Sequence, residues 1–248
     1  MRKFYLIDGD GIRYGLNGEG GIWLDSPTGL GVSYAPNFAD FGNGFFVDVF
    51  NKTKQGSIVC NLLFEPPGAY GRYQTFMRTI SGSESLTLIY DPDGTAEYSR
   101  IVELEQISKS ELTGSGELLC ATTFICLTPW FRTENISDSA VIYARGDLMS
   151  AFIISASVTG SNPSFTLTDT NSQILGSADI SGSYSGAAMV LSTIPYDSYI
   201  TSNGNDISSN LSVVNNPFFR LPSQMSARIS NSVNASMSIE VFHYWRTV

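Results

Sequence analysis

Apolar and polar residues alternate with a period of two along most of the chain, in short runs cut by Gly, Pro, Asp and Asn turns. In the first half this pattern predicts strands over Lys3–Ile7, Phe45–Asn51, Ser57–Phe64, Ser85–Tyr90, Glu97–Ile107 and Gly116–Leu127. Asp91-Pro-Asp-Gly94 predicts a turn, because proline sets φ at the second position and glycine closes the four. A hairpin from Leu86–Tyr90 to Glu97–Ile101 is therefore expected. One segment has the other period. After Glu65-Pro-Pro-Gly68, residues Tyr70, Tyr73, Met77 and Ile80 recur at helical spacing until Ser81-Gly82, which predicts a helix over Ala69–Ile80 with that stripe packed on the sheet.

The second half shows short apolar strands at Ala151–Val158, Ser164–Thr168, Ala187–Leu191, Tyr199–Ser202, Ser226–Ile229 and Met237–Tyr244. Asn203-Gly204, between Tyr199–Thr201 and Ile207, is a hairpin signal. Many short strands with no helical window predict a β-sandwich. Composition separates the halves: residues 133–248 hold 24 Ser and 10 Asn, residues 1–132 hold 10 Ser and 5 Asn, and all four lysines (Lys3, Lys52, Lys54, Lys109) precede residue 132. The expected domains are 1–132 and 133–248, with the boundary in Arg132–Asn135.

At 248 residues, 42% hydrophobic and 15% charged, the chain can bury substantial cores. Its net charge of −9, with no cluster of Lys and Arg, argues against a nucleic-acid binder. The first ten residues do not read as a signal peptide, and no run of ~18 apolar residues occurs, so synthesis in a cytoplasm and no membrane span are expected. Cys120 and Cys126 lie on one predicted strand ~20 Å apart, beyond disulfide reach, and with Cys60 are expected as buried free thiols.

Candidate chemistry is sparse. His243, the only histidine, would have to be the base of any Ser-His-Asp hydrolase, but no serine stands out, and a half-exposed strand histidine is the expectation. Gly182-Ser-Tyr-Ser-Gly186 has Tyr184 where a nucleophile elbow has serine. Glu103 and Glu105 share a strand face and so could pair as acids, but their alternation with Val102, Leu104 and Ile107 reads as a solvated outer surface. Asp8-Gly-Asp-Gly11 continues with Ile12 and Arg13, unlike a calcium loop, and reads as a turn. Gly18-Glu-Gly-Gly21 lacks the third glycine of a dinucleotide site. No catalytic, metal or cofactor-binding residues are assigned. A sugar-binding surface remains an alternative, with Tyr143, Tyr184, Tyr196, Tyr199, Tyr244 and Trp245 as its rings.

Tyr70–Ile80, Leu86–Tyr90, Ile107–Leu112, Leu119–Phe124 and Leu127-Thr-Pro-Trp-Phe131 resemble the N-terminal domain of siphophage distal tail proteins. Gly160–Pro163 with Phe165–Leu167, Asn203-Gly204 before Ile207, and the terminal segment Ile239–Arg246 resemble the galectin-like domain that follows it in that family. The resemblance implies a mostly β chain: a split β-barrel with one α-helix (a belt domain), then a galectin-like β-sandwich. It implies a hexameric ring at the virion tail tip, joining the tail tube protein to the tail-associated protein and to receptor-binding or baseplate proteins, without enzymatic activity or cofactor. At this length the chain is expected to be without the long insertion or added carbohydrate-binding module of some relatives, which argues against direct host adhesion through such a module. The alternative is a carbohydrate-binding module in host adhesion.

Overall fold

In a computed structural model, the described residues are 2–31, 33–40, 46–83, 85–137, 140–195, 197–215, 219–233 and 236–248. The chain is mostly β with one α-helix, in two units: residues 1–130 with 246–248, and residues 131–245. This differs from the expected 1–132 and 133–248. Phe131 packs against Phe242 and Tyr244 (centroids 5.8 and 6.0 Å), which draws it into the second unit.

The first unit contains β1 (Lys3–Ile7), β2 (Arg13–Gly15), β3 (Ile22–Thr28), β4 (Ser33–Asp40), β5 (Phe46–Lys54), β6 (Ser57–Phe64), α1 (Ala69–Ser81), β7 (Leu86–Asp91), β8 (Tyr98–Lys109) and β9 (Leu118–Cys126). The expected segments all contain strands. Phe45, at the start of one of them, lies outside the described residues. The antiparallel order is β2-β1-β7-β8-β9-β6-β3. Residues 16 and 17 then close the circuit from β3 to β1. Leu16 N–H donates to Phe4 O, Leu24 N–H donates to Leu16 O, and the Asn17 amide both accepts from Phe4 N–H and donates to Phe4 O at 2.7 Å. The result is the split barrel that the resemblance implies.

Alternation fills the barrel. Ile58, Cys60, Leu62 and Phe64 of β6 and Leu118, Cys120, Phe124 and Cys126 of β9 point inward and are buried, each large apolar side chain contributing about 1.5–3 kcal/mol. The turn at Asp91–Gly94 forms as expected, with Gly94 N–H donating to Asp91 Oδ1 at 2.6 Å and Tyr90 opposite Tyr98. Helix α1 buries Ala69, Phe76 and Ile80, and Phe76 meets Phe64 and Tyr14 edge-on. The expected stripe is corrected at Tyr70, which is exposed and stacks on Tyr73. Ala69, Phe76 and Ile80 set the buried face, and one residue along the helix turns Tyr70 ~100° away from it.

The second unit takes in β10 (Trp130–Ser137, its first residue in the first unit), β11 (Ile142–Tyr143), β12 (Ala151–Ser161), β13 (Ser164–Asp169), β14 (Ile174–Ile180), β15 (Ser183–Ile194), β16 (Asp197–Ser202), β17 (Asn205–Asp206), β18 (Leu211–Val214), β19 (Ser226–Asn231) and β20 (Met237–Trp245). Two antiparallel sheets, β17-β16-β15-β12-β20-β10 and β11-β19-β13-β14-β18, form a galectin-like sandwich. Its core includes Phe152, Ile154, Phe165, Leu167, Leu191, Ile229 and Val241. Asn203-Gly204 forms the expected hairpin turn, both residues at positive φ, with Ser202 opposite Asn205. Arg132–Asn135, expected to be a boundary, runs inside β10, half of whose residues are exposed.

Candidate functional site

The outer wall of the barrel is the most distinctive surface of the first unit. On β6 the outward residues are Ser57, Val59, Asn61 and Leu63, and on β9 they are Leu119, Ala121, Thr123 and Ile125. Register places Val59 opposite Thr123, Leu63 opposite Leu119, and Trp23 of β3 opposite Leu63. Val59, Leu119 and Trp23 are 47%, 40% and 36% exposed, so the side of this sheet turned away from its core carries apolar residues among Ser57, Asn61 and Thr123. Asp25, Glu103 and Glu105 stand exposed around it. The two glutamates are thus solvated on β8, with a bulge between Leu104 and Gln106.

The glycine and aspartate motifs build local structure. Asp8 Oδ1 accepts from Asp10 N–H and Ile12 N–H at 3.0 and 2.8 Å, and its Oδ2 accepts from Tyr14 O–H at 3.1 Å. This is the expected turn after β1. Gly18, at φ 88°, holds the Trp23 ring over its Cα, where a Cβ would lie 2.2 Å from the indole, and Trp23 Nε1–H donates to Glu65 Oε1. In Gly182–Gly186, Tyr184 O–H donates to Ser181 O across a tight connection. Cys60, Cys120 and Cys126 are free and buried. Burial pushes Cys60 up to about 12 and Cys120 up to about 11, so their thiolates are scarce at neutral pH. Among the described residues no group of His, Cys, Asp and Glu is placed to hold a metal ion, and no helix is long and apolar enough to cross a membrane.

His243 corrects the half-exposed expectation: it is buried, because this end of β20 is covered on both faces. Its Nδ1 accepts from Arg145 N–H at 3.4 Å and lies 3.2 Å from Ser150 Oγ, and its Nε2 lies 3.3 Å from Glu134 Oε2. A backbone N–H can only donate, so the imidazole is neutral with its proton on Nε2, directed at Glu134. The sequence order hid these partners, which lie 93 and 109 residues away. Ser150 is fully buried, which denies a substrate the access a nucleophile requires.

Burial lowers the His243 pKa below 6.5; Glu134 opposes the shift, and Arg145 and Arg132 add to it. The unfolded chain therefore takes up a proton near pH 6.5 that the folded chain refuses. Stability is expected to fall as pH drops below 6.5 and to level off beneath the folded value. His243→Gln should lose less stability than the wild type between pH 7.5 and 5 in denaturant titrations. The single imidazole resonance of the native protein should titrate below 6.5.

The candidate sugar-stacking rings do not gather on one face. Tyr143 is exposed on β11, Tyr199 is half-buried on β16 in the other sheet, and Tyr244 is buried beside Ala151 and Phe131. Trp245 is half-buried at the end of β20 and Tyr184 packs on the sandwich core. Tyr196 lies outside the described residues.

The barrel is also where the sequence matches a known family: residues 3–127 match the distal tail protein, N-terminal domain. The chain belongs to the distal tail protein family. No curated protein matches its sequence. Among solved structures the distal tail fold extends over the whole chain. A chain of the phage P2 baseplate in its activated conformation with Ca is similar over 100% of both chains, at TM-score 0.74 and 13% identity. The Sr form of that baseplate gives 0.72 and 13%, again over 100% of both. The SPP1 Dit protein, described as a paradigm of the hub adsorption apparatus in phages infecting Gram-positive bacteria, gives 0.71 and 11% over 97% of this chain and 98% of that one.

Proposed function

We propose that this distal tail protein is a structural ring subunit at the virion tail tip, made in the host cytoplasm and acting by assembly rather than catalysis. The match of residues 3–127 to the distal tail domain carries this reading. In it the barrel unit forms a hexameric belt and the sandwich projects outward. The belt joins the tail tube protein to the tail-associated protein and to receptor-binding or baseplate proteins. The hub described for SPP1 Dit and the baseplate setting of the phage P2 chain support this placement. Head-to-tail contacts between identical subunits close into a ring when the rotation allows, and an apolar sheet face left in water suits such a contact. The net charge of −9 agrees with a channel that lets DNA pass without gripping it.

Light scattering with negative-stain imaging tests the reading. A particle of six 27.0-kDa chains with a central hole is expected. A single chain at every concentration, with and without the tail tube protein, would overturn it.

A further inference from the structure

At the edge of the smaller sheet of the second unit, the turn between β12 and β13, the end of β14 and the start of β18 enclose an open cavity of about 310 Å³. Register puts Asp179 of β14 opposite Ser212 of β18, and Ile180 opposite Leu211. Asn162 in the turn and Asn210 just before β18 lie on its other sides. Ligand pockets run from ~300 to ~1,000 Å³, so this one has room for one small ring and not for a chain of them.

The frame is pinned, and its hydrogen bonds leave particular atoms facing the space. Asn162 N–H donates to Gly182 O at 2.7 Å and Asn162 Oδ1 accepts from Gly182 N–H at 2.9 Å, which fixes the side chain and leaves its Nδ2 as a donor. Asn210 O accepts from both the N–H and the O–H of Ser181, and Asn210 Nδ2 donates to the Tyr184 hydroxyl at 3.5 Å. Asp179 Oδ2 accepts from Ser177 O–H at 3.1 Å. Among the described residues nothing bonds to Asn162 Nδ2, Asp179 Oδ1 or the Ser212 hydroxyl.

An amide that only donates and a carboxylate that only accepts, with a hydroxyl that does both, match a pair of adjacent hydroxyls, each of which gives one hydrogen bond and takes another. Ile180 and Leu211 supply an apolar side for the C–H edge of a ring. The described lining holds Asp179 and no Lys, Arg or His, which disfavours phosphates and carboxylates.

We infer that this cavity binds a neutral sugar ring through two adjacent hydroxyls, one donating to Asp179 Oδ1 and one accepting from Asn162 Nδ2, with the Ser212 hydroxyl as a third contact. The site needs no stacking aromatic, and it lies wholly within the second unit, so it does not depend on the hexamer.

Saturation-transfer NMR on the full chain tests this with D-glucose, D-galactose, L-rhamnose and N-acetyl-D-glucosamine, each free and as its methyl glycoside. At least one should bind at about 1 mM, an affinity ordinary for so small a ligand. Asp179→Asn keeps an acceptor for Ser177, and Asn162→Asp keeps the acceptor for Gly182 N–H, while each changes the atom that meets the sugar. Both should weaken binding roughly 10-fold. Ser212→Ala, at an exposed position that folding does not require, should weaken it severalfold. Tyr143→Ala, an exposed ring on β11 at the opposite edge of the same sheet, should leave it unchanged. Binding of a sugar and its methyl glycoside alike marks a residue carried on a glycan, and binding of the free form alone marks a free sugar. The assignment is overturned if none of the sugars binds, if binding survives Asp179→Asn, Asn162→Asp and Ser212→Ala, if it is lost in Tyr143→Ala, or if inorganic phosphate displaces the sugar.

Discussion

Replacing Trp130 by alanine is expected to destabilise the first unit by about 3–5 kcal/mol, the range for deleting a large buried aromatic. Trp130 is fully buried, and its Nε1–H donates to Leu30 O at 2.9 Å, a hydrogen bond spanning 100 residues. Its ring lies 5.0 Å from the Arg100 guanidinium and 5.8 Å from the Tyr90 ring. Arg100 is itself buried, anchored through Nε–H to Thr128 O at 2.8 Å, and burial lowers its pKa. Truncation therefore leaves a cavity, an unpaired carbonyl and a buried cation without its aromatic neighbour. At ~2–4 °C per kcal/mol for a chain of this size, the unfolding temperature should fall by roughly 10 °C. Trp130→Phe keeps most of the ring volume and loses the donor, so about 1–2 kcal/mol is expected from it. Equal losses from the two variants, read by denaturant titration, would refute the packing account.

The barrel and sandwich were legible where one face of a strand is apolar and the turns are chemically explicit, as in β1, β6 and the Asp91–Gly94 turn. The missed elements break those rules. β3 contains Ser26-Pro27, where Ser26 adopts φ 50° and the register with β6 shifts between Asp25 and Thr28. β14 turns the small Gly176 and Ala178 inward with Ile180, β18 has four residues and none of them buried, and β10 is mostly polar after Phe131. The uncovered face had a signal that was not used. Ser57–Phe64 and Leu118–Cys126 carry Val59, Leu63, Leu119 and Ile125 at the positions opposite the buried set, more apolar area than a sheet with one face in water requires. The His243 cluster had none, since nothing local to Ser150 or Glu134 distinguishes them from other polar residues until the sandwich folds. The buried face of α1 was misplaced because Ala69 and Phe76 define it and the tyrosines are more conspicuous in the sequence.

Gly29→Ala is the second large effect, and Gly11→Ala is its control. The two glycines have nearly the same backbone, φ 81° and 80°, a region where a Cβ costs about 1–2 kcal/mol. They differ in surroundings. A Cβ at Gly11 meets nothing within 4 Å, whereas one at Gly29 would lie 1.9 Å from Ser57 O and 3.0 Å from Ser57 C. That carbonyl is backbone at the start of β6, so relief requires moving a strand that is paired on both sides, with β3 and with β9. Adding about 1–3 kcal/mol for overpacking, Gly29→Ala should lose about 2–5 kcal/mol and Gly11→Ala about 1–2. The difference between the variants isolates the steric part from the conformational part, which a single substitution cannot do. Equal losses would mean that the Gly29–Ser57 approach relaxes freely.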